Sequence, residues 1–348
     1  MRFDFLKEKA IPVLIGAGVS LFLAKSGFLF ILFMTPLGFL VYRYGKAAGW
    51  TGFLLVIIVN AVLLTITAAR NDLPITLAKW DFLNFLILSL LFLWITAPLD
   101  AFSKKISGIA RFISASIAGA FIFTILLFMA MAGESFRQYM EAWVNLLASG
   151  SNSSAVHSAL LEGLTVETMI EGVKAILLRG GSLVICFFIF FINRQISAAF
   201  ARMFSARVSG DKAKISISQS RLNTLSVFKV NPRIIWVLSF SLLLVVVTRN
   251  FALEIPEIVL WNILVFCAIL YFAQGLGILQ FFLTKPSTSN LVKLIAGILI
   301  IVIFFSPVVN AVLFGVLTLL GIAENWIPLR KPEQNGPPST PEAGGGNV

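Results

Sequence analysis

The sequence predicts an all-α integral membrane protein with about ten transmembrane helices. Three observations predict it. Hydrophobic residues make up 58% of the 348 positions. Charged residues make up 12%, about half of the ~25% usual in soluble domains. The basic residues fall unevenly between alternate connections, as they do in proteins oriented across a bilayer.

Taken in order, apolar runs at about 11–24, 27–42, 51–69, 82–98, 112–132, 175–192, 233–248, 257–283, 291–306 and 308–322 mark the candidate spans. The comparison length is the ~20 residues of a bilayer crossing. Only Lys25-Ser26-Gly27 separates the first two runs, which form either one broken helix or a tight hairpin. Met1–Ala24 has the charged head and apolar run of a signal peptide. However, Phe22 would stand at position −3 of a cut after Ala24, and another apolar run follows Lys25. The segment therefore reads as an uncleaved first helix. The last two runs divide at Ser306-Pro307, where proline favours a turn or a kink. Ten spans is the preferred count and nine the alternative.

With the N-terminus inside, twenty of the 27 lysines and arginines lie in the inner segments and seven in the outer ones. That split places both termini in the cytoplasm. It also accounts for most of the formal net charge of +11, so no nucleic-acid partner is needed. The resulting division is a six-span bundle over 1–192, a basic cytoplasmic loop over 193–232 and a four-span bundle over 233–331. A Pro/Gly-rich tail over 332–348 cannot build a core and reads as disordered.

Two connections carry amphipathic patterns. The outer segment 133–174 places Phe136, Tyr139, Met140, Trp143, Val144 and Leu147 on one helical face, and Val166, Met169, Ile170, Val173 and Leu177 on another. It is either a lid over an outer cavity or a pair of helices resting in the interface. The inner loop begins with an apolar stripe of Ile196, Phe200, Met203 and Phe204, with Arg194 and Arg202 on other faces. Arg207, Lys212 and Lys214 follow. This pattern suits anionic lipid of the inner leaflet, and it equally offers a docking surface for a cytoplasmic partner.

Both cysteines, Cys186 and Cys267, lie inside apolar runs, and the single histidine is His157 in a polar loop. Three or four ligands of a metal site are not clustered anywhere. Neither GxxxxGK[ST] nor GxGxxG occurs, so no cofactor is expected. No ionisable residue falls near the middle of a span. The polar groups there are the amides Asn60, Asn262, Gln274, Gln280 and Asn310. Unpaired in lipid, each amide costs ~2–7 kcal/mol, so these five face other helices or a wet cavity. Gly16, Ser20 and Ala24 recur every fourth residue on span one, a spacing that lets helices approach closely.

The second half resembles the YybS-like family of bacterial multi-pass membrane proteins, whose function is unassigned. The resemblance is carried by Asn231-Pro232-Arg233-Ile234-Ile235-Trp236, Trp261-Asn262, Tyr271-Phe272-Ala273-Gln274-Gly275-Leu276, Gly321-Ile322-Ala323-Glu324-Asn325-Trp326 and Arg330-Lys331. It covers about residues 225–331, with Thr35-Pro36-Leu37-Gly38 and Arg43-Tyr44-Gly45 matching in the first half. The family usually has Asp at the position of Glu324. It is distantly similar to the substrate-binding membrane subunits of energy-coupling-factor importers. The resemblance thus implies a small-solute-binding or transport-related subunit of the bacterial inner membrane, energised by a separate membrane or ATPase module. A non-enzymatic scaffold recruiting a partner through the basic loop is the alternative. An enzyme is not expected, because no acid, base and nucleophile share one membrane depth.

Overall fold

The computed structural model describes residues 4–70, 75–98, 108–150, 165–208, 228–251, 254–284, 289 and 307–330. Every regular element among them is helical. Four helices are long and apolar enough to cross a membrane: Lys46–Ile66, Gly108–Met131, Val166–Phe204 and Glu254–Leu283. Only 28–39% of their most apolar stretches is buried within the chain. Apolar helices with that much exposed surface suit lipid rather than water. Shorter apolar helices cover Ala10–Lys25, Leu29–Tyr44, Phe82–Thr96, Ile234–Asn250 and Val312–Ala323. The run at 291–306 lies outside the described residues, as does the tail 332–348.

The chain forms two compact units. The first comprises residues 1–222 and 237–266, and the second comprises 223–236 and 267–348. The boundaries fall after residue 222, inside the basic loop, after residue 236, and after residue 266, inside the eighth apolar run.

In the first unit, α1 (Asp4–Lys25) ends at Ser26, a 3-10 turn covers Gly27–Leu32, and α2 runs from Thr35 to Tyr44. The first two apolar runs make a tight hairpin: Gly16 packs on Leu40, and Ser20 Oγ donates to Phe33 O at 2.5 Å. Proline at the second position of α2 fits a helix start, where its missing N–H costs nothing. Phe33, Met34, Leu37 and Leu40 are fully buried, so α2 is the centre of this unit. Around it stand α1, α3 (Lys46–Arg70) and α8 (Ser182–Val208). Next come α4 (Ile75–Thr96) and α5 (Gly108–Met131), with α5 packed on both α4 and α8. Helix α8 does not stop where the apolar run ends at 192 but carries the start of the basic loop as helix.

The amphipathic outer stretches form α6 (Glu134–Gly150) and α7 (Val166–Ile176). A π turn over Leu177–Gly181 joins α7 to α8. Helices α9 (Ile234–Asn250), α10 (Glu254–Thr284) and α11 (Pro307–Ala323) complete the described set. Helix α11 is described from Pro307 onward, and the residues before it lie outside the described ones.

The second unit is closed by a crossing of α10 and α11 at backbone contact. A Cβ added to Gly275 would lie 2.0 Å from Leu317 O, and one added to Gly321 would lie 2.0 Å from Tyr271 O. Carbonyl oxygens cannot move aside as a flexible side chain would, so only glycine fits either position. Phe272 and Phe314 stack beside the crossing with centroids 4.9 Å apart. Gly315→Ala, with open space around it, serves as the control. Gly275→Ala and Gly321→Ala are each expected to lower the unfolding midpoint by about 1–4 °C, from ~1–3 kcal/mol of overpacking. Thermal unfolding of the three variants in detergent checks this, and equal midpoints would remove the crossing from the account.

Candidate functional site

Helices α6 and α7 flank an open pocket. Helix α7 starts on a reciprocal cap: Thr165 Oγ1 accepts from Thr168 N at 3.2 Å, and Thr165 N donates to Thr168 Oγ1 at 2.9 Å. Helix α6 turns Phe136, Met140 and Val144 inward and leaves Glu134, Arg137 and Glu141 exposed. Between the end of α5, the start of α6 and α7 lies a pocket of about 260 Å³. Its polar lining is Glu134, Arg137, Glu167, Glu171 and Lys174, with Ile170 among the apolar residues. Arg137 bonds Glu167 and lies 3.8 Å from Glu141. Lys174 Nζ donates to Glu171 at 2.8 Å. Glu134 has no ion-pair partner among the described residues. Three carboxylates against two cations leave the pocket one charge negative.

The kink that aims α7 is held by α10. Within the π turn, Arg179 (φ −86°, ψ 28°) and Gly180 (φ 99°, ψ −1°) leave helical geometry. Two carbonyls at this turn accept from side chains. Ser182 Oγ donates to Leu177 O at 3.1 Å, and Asn262 Nδ2 donates to Leu178 O at 2.5 Å. The second hydrogen of Asn262 goes to Ile258 O at 2.9 Å. Arg179 lies 3.3 Å from Glu257, which also accepts from Trp261 Nε1 at 3.3 Å.

A second polar centre, in the second unit, is buried. Arg330 Nε donates to Glu324 Oε1 at 2.6 Å and its Nη2 donates to Oε2 at 2.5 Å, a two-pronged fork. The pair is 9% and 4% exposed. Arg330 also donates to Phe228 O at 2.8 Å. Gln274 Nε2 donates to Gly321 O at 3.0 Å and Glu324 Oε2 at 2.9 Å, while its Oε1 accepts from Val230 N at 2.7 Å. The Gly275–Gly321 crossing makes this reach possible by bringing the backbone of α11 against α10.

The five span amides are therefore not one site. Asn262 serves the kink and Gln274 serves the chain around Val230. Asn60 is buried on α3, and its Nδ2 has no hydrogen-bond partner among the described residues. Gln280 is half-buried near the end of α10. The side chain of Asn310 lies outside the described ones. Gly16 and Ser20 face the second arm of the hairpin, while Ala24 is half-exposed. Arg194 is half-buried and Arg202 exposed, its Nε donating to Ala198 O at 3.3 Å. Nothing is described for the side chains of Arg207, Lys212 and Lys214.

Four contributors escape a reading of the sequence. Asn193 sits one residue past an apolar run and reads as loop, yet it is fully buried. It accepts from Thr35 Oγ1 at 2.9 Å and donates to Ile31 O at 2.6 Å. Ser197, one turn on, donates to Thr35 O at 2.8 Å. A polar pair four residues apart beyond an apolar run is the signal that could have revealed them. Glu324 and Arg330 read as interfacial charges, and only their spacing of six hints that they meet across a helix end.

Comparison of the chain with protein-family models, curated proteins and solved structures finds no match. Function therefore has to be argued from geometry alone.

The buried fork gives a sharp expectation. Glu324→Leu strands a guanidinium in the protein interior and should cost about 3–5 kcal/mol. Glu324→Leu with Arg330→Met removes both charges and should recover most of that loss. Chemical unfolding of single and double variants measures both, and a double variant no better than the single would exclude the pair as the cause.

Proposed function

We propose that the protein is a multi-pass membrane protein that holds a small cationic or zwitterionic solute in the pocket between α6 and α7. On this reading about ten spans cross a bacterial inner membrane with both termini cytoplasmic, in keeping with the YybS-like resemblance. The observation that carries the solute reading is the composition of the pocket: opposite charges lining one small hollow, with one carboxylate left over. Its ion pairs are about half exposed, and such pairs are worth ~0–1 kcal/mol. A solute's charges can therefore replace them at little cost. A solute ammonium finds Glu134, and a solute carboxylate competes for Arg137 or Lys174.

The sequence carries no nucleotide motif and no ionisable residue near the middle of a predicted span, which fits energy supplied by a separate partner. Phe200, Met203 and Phe204 are exposed beside Arg202 at the far end of α8. Such a surface fits anionic lipid headgroups, which supports placing that end at the inner leaflet.

The test is thermal unfolding of the full-length protein in detergent with ethanolamine, 4-aminobutyrate or acetate at millimolar concentration. Ligands that bind only the folded state raise the midpoint. Ethanolamine and 4-aminobutyrate are expected to do so, and acetate is not. Glu134→Gln should weaken binding about tenfold or more, given ~1.5–3 kcal/mol for a charge-assisted bond. A folded preparation unmoved by all three probes overturns the proposal.

A further inference from the structure

We propose that Asn262, on α10, is the positioning residue for the solute pocket, acting through the α7–α8 kink without touching the pocket itself. This rests on the solute reading for its functional consequence, but the positioning has its own geometry and its own measurement.

Four of the pocket residues, Glu167, Ile170, Glu171 and Lys174, belong to α7. Helix α7 has no buried residue of its own. It packs on α6 and on the π turn. What fixes its direction is therefore the geometry of residues 177–181. Gly180 has a φ of +99°, a conformation open chiefly to glycine. A Cβ there would lie 2.9 Å from Val265 Cβ, so the turn is seated directly on α10. Glu257, Trp261 and Val265 follow one another every fourth residue and share one face of α10. That face meets the kink with an ion pair to Arg179, while the neighbouring Asn262 sends its amide to Leu178 O.

The amide reaches the kink itself: Leu178 stands immediately before Arg179 and Gly180, whose dihedrals are non-helical, and its carbonyl accepts from α10. Without the amide that tie between the kink and α10 is lost. Straightening the turn would swing α7 away from Glu134 and Arg137 and open the pocket. Ser182 holds only the adjacent carbonyl, and it accepts in turn from Thr124 Oγ1 at 2.7 Å. Asn262 is the one side chain among the described residues that bonds Leu178 O.

Hydrogen exchange of the full-length protein, read by mass spectrometry over 166–181, tests the positioning. Asn262→Asp keeps the shape of the side chain but removes the donor, and should raise exchange there about tenfold. Helix α5 and residues 183–204 should be unchanged, which reports intact folding. Glu257→Gln, which weakens the ion pair to Arg179 but leaves the amide of Asn262 in place, should have a smaller effect in the same segment. Binding of 4-aminobutyrate should weaken about tenfold in Asn262→Asp although every pocket residue is retained. Unchanged exchange over 166–181 overturns the proposal, as does faster exchange with unchanged binding. If the wild type binds no probe, the solute reading fails, and the exchange result alone upholds or overturns the positioning of α7.

Discussion

The requirement that every backbone group in a water-poor region find a partner governs this structure. Regular helices meet it internally; their interruptions do not. At three of the described interruptions, side chains supply partners. At the first hairpin, Ser20 serves Phe33 O and Asn193 serves Ile31 O. At the α7–α8 kink, Ser182 and Asn262 serve Leu177 O and Leu178 O. Ahead of α9, Gln274 serves Val230 N and Arg330 serves Phe228 O. The polar residues inside the apolar segments are thus distributed by where the backbone breaks.

The same rule separates the two polar centres by kind. The buried fork of Glu324 and Arg330 is tied at both ends by Gln274 and the backbone. Its worth lies in specifying which segments meet, since an ion pair taken out of water loses much of its attraction to desolvation. The charges around α6 and α7 are exposed, weakly held and exchangeable. A rigid interior and a loosely paired mouth follow from the degree of solvent contact alone.

The helical architecture was largely legible because long apolar runs leave few alternatives. The short α2 was harder to read, since its location at the centre of the first unit depends on packing by four other helices. Asn262 and Gln274 stood out as amides in apolar runs, and their role as inter-helix bonds follows from the cost of leaving them unpaired. Their partners were not legible, because Leu178 and Val230 are apolar residues that offer only backbone. Asn193 was hidden by the convention that a span ends where apolar residues end, although α8 continues past it. The outer pocket was half legible: the two amphipathic faces could be read, whereas the pairing of Arg137 with Glu167, thirty residues away, required the fold.

The bond from Arg330 to Phe228 also has a bearing on synthesis. The two residues are 102 positions apart, and at ~5–20 residues per second a ribosome takes about 5–20 s to cover that distance. Glu324, six residues before Arg330, also appears only near the end of that interval. Closure of the buried fork is accordingly a late event, because Arg330 follows Phe228, Val230, Gln274, Gly321 and Glu324 in the chain.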